Sequence, residues 1–219
     1  DFRWHSYYPI GSEGLAGAGG KAEQVAVRTI NWTNANTLTY QKVIDDIHRI
    51  TALGGFTYQQ EYSEELEAES WGFPGDVFEY NNLGLGTNPR TPGTYAQQWQ
   101  LVSYLGRINY SLLDRYLLTT SLRVDGSSKF GANNKYGYFP SVALAWQLGD
   151  EAFMQDLDML SHFKVRTSFG KTGNESIGVY QSNSRIGTAF GTRSSYIFDG
   201  TAAPIAYPSN LANPDLSWE

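Results

Sequence analysis

Few residues in this chain have the types and spacing to do chemistry. His5, His48 and His162 are scattered over 219 residues, and no HExxH-like spacing links them into a metal site. Gly17-Ala18-Gly19-Gly20-Lys21-Ala22 resembles a phosphate-binding loop superficially. Leu15 stands where the first glycine of that loop must be, and Ala22 replaces the Ser or Thr that would hold magnesium, so the stretch reads as a surface loop. Glu61, Glu64, Glu65, Glu67 and Glu69 supply many oxygens but lack the Asp-x-Asp-x-Asn-Gly order that wraps a chain around calcium, and they read as a solvated strand end or loop. No Gly-x-Ser-x-Gly elbow occurs, and with no cysteine there is neither a thiol nucleophile nor a thiolate metal site. Three glycosylation sequons, at Asn31, Asn109 and Asn174, carry no weight, since the second falls inside an expected strand. The expectation is a protein that is not an enzyme and holds no metal or cofactor.

The elements around these residues are strands. In 101–112 the even positions Val102, Tyr104, Gly106, Ile108, Tyr110 and Leu112 make one mainly apolar face, and the odd positions Ser103, Leu105, Arg107, Asn109 and Ser111 are mostly polar. After a tight turn at 113–115 the pattern returns, with Tyr116, Leu118, Thr120, Leu122 and Val124 against Leu117, Thr119, Ser121, Arg123 and Asp125. Arms of about ten residues suit a tilted strand crossing a bilayer. Further strands are expected at 37–44, 49–62, 139–148 and 163–171, where Lys164, Arg166 and Ser168 alternate with Phe163, Val165, Thr167 and Phe169. Gly- and Asn-rich connections are expected at 11–20, 71–95, 126–134 and 173–208, and a short helix at 151–160 capped by Asp150. Tyr110, Tyr116, Tyr136, Tyr138, Phe139 and Trp146 flank the apolar stretches, as interfacial rings or as ordinary core.

Composition narrows the class. A formal charge of −6, with pI ≈ 5.1, argues against nucleic acid as a partner. Mean hydropathy of −0.40 and the lack of any apolar run of ~18 residues exclude a transmembrane helix. They leave open a transmembrane β-barrel, whose alternation averages out, and 15% aromatic with only 17% charged residues suits one. A soluble β-sandwich also alternates, usually with shorter strands. The first residues, DFRWHSYYPIGSEG, show no basic stretch followed by an apolar one, and Asn213-Pro214-Asp215-Leu216-Ser217-Trp218-Glu219 reads as a turn into a further segment. The sequence is therefore read as a fragment.

A series of longer words decides between these classes. They are Tyr104-Leu-Gly-Arg-Ile-Asn-Tyr110, Asp114-Arg-Tyr-Leu-Leu-Thr119, Arg123-Val-Asp-Gly-Ser-Ser-Lys-Phe-Gly131, Gly137-Tyr-Phe-Pro-Ser-Val-Ala-Leu-Ala-Trp146, Glu151-Ala-Phe-Met154 and Lys164-Val-Arg-Thr-Ser-Phe-Gly-Lys-Thr-Gly-Asn174, with Leu211-Ala-Asn-Pro-Asp-Leu-Ser-Trp-Glu219 at the end. In this order they resemble the C-terminal half of the SusC/RagA-like TonB-dependent outer-membrane transporters of Bacteroidetes. The resemblance implies an all-β, antiparallel up-and-down meander of about eight strands, residues 1–219 forming part of a barrel of roughly 22 strands with an N-terminal plug. It further implies a location in the outer membrane, contact with its lipid, a SusD-like lipoprotein partner, and coupling to the TonB complex through the missing N-terminal part. The 113–115 turn should face the periplasm. Arg107, Arg123, Asp125 and Arg166 should then line the lumen, because an arginine facing mid-membrane lipid costs ~2–4 kcal/mol.

The function so implied is nutrient import, of oligosaccharide or peptide, with no chemistry done on the substrate. Recognition is expected in the long loops 67–95 and 173–208, with Trp71, Phe73 and Tyr80 as rings that could stack on substrate. Two other readings stay open here. One is a soluble all-β carbohydrate-binding module using those same rings; the other is a passive porin without plug or TonB coupling.

Overall fold

The computed structural model describes residues 1–12, 19–154, 162–189, 195–198 and 201–219. Among them are eleven strands and no α-helix. One sheet contains β1 (Phe2–Tyr8), β2 (Lys21–Ile44), β3 (His48–Trp71), β4 (Asn88–Pro89), β5 (Gly93–Leu112), β6 (Tyr116–Ser127), β7 (Tyr136–Gln147) and β8 (Lys164–Gly170). Its order is β1-β2-β3-β5-β6-β7-β8, with β4 beside β3, so it is an antiparallel up-and-down meander. A second sheet of β9 (Arg185–Ala189), β10 (Ser195–Phe198) and β11 (Thr201–Asn210) has the order β10-β11-β9. The chain divides into two compact units, Asp1–Trp32 with Gln60–Trp99, and Thr33–Gln59 with Gln100–Glu219.

Two hairpins close on two-residue turns. Asp45 and Asp46 (φ 53° and 54°), like Leu113 and Asp114 (both 55°), sit in the left-handed region, the geometry that matches the twist of the flanking strands. Aspartate tolerates this conformation and leucine does not favour it. The Leu113 N–H donates to Ile47 O (2.8 Å) and Arg49 Nε lies 3.0 Å from Asp114, so the two turns brace each other.

Several boundaries differ from the sequence expectation. β2 and β3 run to 24 residues each, because they extend far past the apolar alternation that marks 37–44 and 49–62. The glutamates from Glu61 to Glu69 all lie within β3. Part of the expected 173–208 loop is instead the second sheet. The expected helix at 151–160 is a single 3₁₀ turn, Ala152–Met154, where described; 155–160 lie outside the described residues, as do 13–18 of the Gly-rich loop.

In the second unit the register sorts side chains cleanly. Cross-strand partners share a face, and Tyr104 pairs Val124, which pairs Tyr138; Leu112 pairs Tyr116, which pairs Trp146, which pairs Val165. These two ring-bearing rows stand eight residues apart, about 26 Å along the strands. Between them lie Ile108, Leu118, Leu122, Val142 and Leu144, on the face opposite Arg107, Arg123, Asp125 and Arg166. Leu122 and Leu144 are 47% and 53% exposed, so this is an apolar face that nothing among the described residues covers. Phe139 belongs to the other face and is buried, which removes it from the interfacial rings.

The final segment explains several of the sequence words. Residues 213–219 lie against 131–135 and 174: Gly131 N–H donates to Leu216 O, Asn133 Nδ2 to Asp215 Oδ1 (2.7 Å), Trp218 Nε1 to Lys135 O, and Asn174 N–H to Glu219 O. The Trp218 ring sits 4.6 Å from Phe130 and 5.4 Å from Phe139, centroid to centroid. A Cβ on Gly131 would fall 2.1 Å from Pro214 O, and one on Gly173 would fall 2.2 Å from the Phe139 ring. Neither Gly126 nor Gly131 has a positive φ, and what they supply is room. Pro140 sits one residue beyond the β7–β8 ladder, and its carbonyl accepts from Lys171 N–H on the β8 side. Its missing N–H faces the same side at the end of the ladder, where the one lost bond costs least.

Candidate functional site

The polar face of the second unit holds a groove of about 460 Å³, whose lining includes Arg107, Asn109, Thr119, Ser121, Ser141 and Arg166. Three cross-strand rows build it: Arg107–Ser121–Ser141–Gly170, Asn109–Thr119–Ala143–Ser168, and Ser111–Leu117–Ala145–Arg166. Small side chains make a floor, and the two arginines stand at opposite corners. The floor is wired together, with Ser121 Oγ 2.7 Å from Ser141 Oγ and Thr119 Oγ1 donating to Asn109 Oδ1 (3.0 Å).

On the same face, Arg123 holds Asp125 through its Nε (2.8 and 2.7 Å to the two carboxylate oxygens) and reaches Ser103 Oγ through Nη2 (3.0 Å). Asp125 is 7% exposed, and this pairing is what makes its burial tolerable. Thus Arg107 and Arg166 share one groove, while Arg123 and Asp125 form a separate ion pair. Glu175, which the sequence did not single out, feels both Asp125 and Arg123 from the loop after β8. Burial pushes its carboxyl up, Lys129 pulls it down, Asp125 pushes it up and Arg123 pulls it down, with a net rise. Its Oε2 is buried without a hydrogen-bond partner.

The first unit separates the three rings expected to act together. Trp71, the last residue of β3, donates its indole N–H to Glu69. Lys21 Nζ lies 5.6 Å and the Arg90 guanidinium 5.5 Å from the ring centroid. Lys21 also bridges Glu69 (2.9 Å) and Glu23 (3.1 Å). Burial raises the Glu69 carboxyl, but the Trp71 and Lys21 hydrogen bonds and the charges of Lys21 and Arg90 outweigh it and leave it low. Phe73 and Tyr80 pack on the other face of β1 and β2. Phe73 is buried, edge-on to Tyr7 at 6.0 Å, and Tyr80 lies over His5 at 3.7 Å while its carbonyl accepts from Gln24 Nε2. Tyr7 pairs Ala22 and His5 pairs Gln24, whereas Lys21 and Glu23 project to the opposite side. Hydrogen bonds from Tyr7 and from the Ile10 N–H hold the Asp76 carboxyl low, and they pin this loop down.

At the turn end of the second unit, Glu151 accepts from Trp146 Nε1 (2.9 Å), Tyr116 Oη (2.7 Å) and Arg115 Nη1 (3.3 Å). The first-named bond does most to hold its carboxyl low. Only its place in the word Glu151-Ala-Phe-Met154 signalled this residue in advance. Among the described residues no group of three or more histidines and carboxylates could hold a metal ion.

No protein-family model matches the chain. It is 39% identical over 204 residues to TonB-dependent receptor P26 of Formosa agariphila, covering 93% of this chain and 20% of that protein. It is 40% identical over 130 residues to TonB-dependent receptor SusC of Bacteroides thetaiotaomicron, covering 59% of this chain and 13% of that protein. Among solved structures, that of the RagAB peptide transporter matches 99% of this chain and 23% of its own at 29% identity, with a TM-score of 0.85. The chain thus spans about a fifth of the length of the first of these relatives.

Proposed function

Because the chain belongs to the SusC/RagA-like TonB-dependent receptors, we propose that it forms part of the barrel wall of an outer-membrane importer that moves oligosaccharide or peptide without transforming it. The observation carrying this reading is the two-faced sheet. One face exposes Tyr104, Ile108, Leu122, Val142, Leu144 and Phe169; the other gathers Arg107, Arg123, Asp125, Arg166 and a floor of hydroxyls. Water on both sides would leave an apolar patch far larger than soluble monomers carry, while lipid on one side and an aqueous lumen on the other satisfies every residue. The ring-bearing rows bounding the apolar band suit the two membrane interfaces, and strand tilt brings their separation to about 20 Å of bilayer height.

On this reading the Asp45-Asp46 and Leu113-Asp114 turns face the periplasm. A SusD-like lipoprotein would cap the lumen, and the TonB complex would energise the receptor through its N-terminal part. Of the three rings, Trp71 shares a face with Glu69 and Lys21 and is the one placed to meet a solute. Phe73 and Tyr80 hold their loop.

The test uses the full-length receptor in its own host. Outer-membrane fractionation with heat-modifiable mobility, and uptake of labelled nutrient with and without TonB, should show a folded barrel whose uptake stops without TonB. Uptake independent of TonB would make it a passive pore, and a water-soluble, heat-insensitive protein would make it a binding module.

A further inference from the structure

Resting on the wall reading, we propose that the groove between Arg107 and Arg166 is an oxyanion-binding site that takes a carboxylate or sulfate group from the lumen side. Charge accounting points to it. Arg28, Arg49, Arg90, Arg115 and Arg123 each keep a carboxylate oxygen within 3.8 Å. Among the described residues Arg3, Arg107, Arg166 and Arg185 make no ion pair, although the chain carries a net charge of −6, and of these Arg107 and Arg166 line one groove. No aspartate or glutamate lines their groove. Both side chains are exposed to the groove with no carboxylate beside them, and their forked donors suit a planar oxyanion.

The floor adds selectivity. Ser121 and Ser141 hydroxyls bond each other, and Asn109 Oδ1 is already taken by Thr119, which leaves the Asn109 amide N–H groups to donate outward. Ala143 and Gly170 keep the surface flat, so a group can approach the backbone without meeting a long side chain. Aromatic partners for sugar stacking are lacking, because the Phe169 ring belongs to the opposite face with Val142. The site therefore reads charge rather than ring shape.

The anion has two sources, an acidic solute in the lumen or an acidic side chain from another part of the same receptor. The experiment uses the purified full-length receptor in detergent, its folding checked by heat-modifiable mobility. Sodium sulfate and sodium acetate are titrated against sodium chloride at matched ionic strength, with thermal stability as readout. Variants are Arg107→Gln, Arg166→Gln and the double. If a solute fills the site, both salts stabilise the wild type beyond chloride, and the half-saturating concentration rises about tenfold in each single variant, the loss expected for one charge-assisted hydrogen bond. The double variant does not respond. If the receptor's own acidic side chain fills it, the wild type ignores both salts, and the double variant alone gains a tryptic cleavage outside residues 1–219. A salt response that survives in the double variant, or no response with an unchanged digest, overturns the proposal. A receptor that shows no heat-modifiable mobility would instead sink the wall reading.

Discussion

Glu175 and Gly131 are the residues whose chemistry reaches furthest beyond their own positions. The Glu175 carboxyl is raised first by burial, and Asp125 adds to the rise against Lys129 and Arg123. A carboxyl raised on folding binds its proton more tightly in the folded state. Its contribution is therefore full below the ordinary carboxylate range and fades as pH climbs through the raised value. Hydrogen exchange of residues 171–179 in the full-length receptor, corrected for intrinsic rates, should show protection falling as pH rises above the ordinary carboxylate range, and Glu175→Gln should flatten the profile. Protection that grows with pH would refute this. Gly131→Ala acts by collision, since the new Cβ would land on the Pro214 carbonyl with backbone on both sides. The expected cost is about 1–3 kcal/mol, in the range of overpacking. Tryptic cleavage after Lys135, whose carbonyl holds Trp218, should accelerate. Gly54→Ala, with nothing within 4 Å of its new methyl, is the control that should leave cleavage unchanged.

For the strands, the testable content is the period of two. Leu144 and Ala145 are neighbours in β7, yet Leu144 pairs Leu118 and Thr167 on the apolar face, while Ala145 pairs Leu117 and Arg166 on the polar one. Leu144→Arg should cost ~2–4 kcal/mol, the penalty for arginine near the bilayer midplane. Ala145→Gln, polar on the polar face and without the like-charge contact an arginine would make with Arg166, should fold as well as wild type. The folded fraction after refolding into phosphatidylcholine vesicles, read by heat-modifiable mobility, checks both, and equal losses would refute the facing. This part of the fold was legible in the sequence because strands with one apolar and one polar face must alternate. The upper halves of β2 and β3 were not legible. There Thr29 meets Ser63 and Asn31 meets Glu61, polar groups that give hydropathy nothing to alternate against. The separation of Trp71 from Phe73 was equally hidden. It depends on the chain turning at Gly72 (φ 75°) so that Phe73 N–H can reach Gly19 O, a long-range bond no spacing encodes. The pair Arg107 and Arg166 could be placed on polar faces by alternation, but their meeting in one groove required the register of four strands.

For the whole molecule, the decisive fact is that the sheet has edges. Among the described residues β8 has a ladder only with β7, and β1 covers only Lys21–Val27 of β2, which leaves the remaining 17 residues of that strand with a partner on one side alone. Unpaired strand edges recruit other strands, and the edge of β2 is long and exposes Leu38, Tyr40, Val43 and Ile44, with Arg28 and Lys42 the charged residues after Val27. Beside it lies the apolar face from Phe56 and Tyr104 to Phe169, of a size that soluble proteins reserve for interfaces. Both features are harmless where neighbouring strands continue the ladder and lipid covers the face. Residues 1–219 expressed alone in plain buffer should therefore aggregate, and detergent should rescue solubility without giving the sharp, cooperative unfolding of a closed wall. Size-exclusion chromatography with light scattering, with and without dodecyl maltoside, makes the measurement. A monodisperse monomer in buffer that unfolds cooperatively would mean the apolar face finds cover within this chain, and the lipid-facing assignment of Tyr104, Ile108, Leu122 and Leu144 would fall with it.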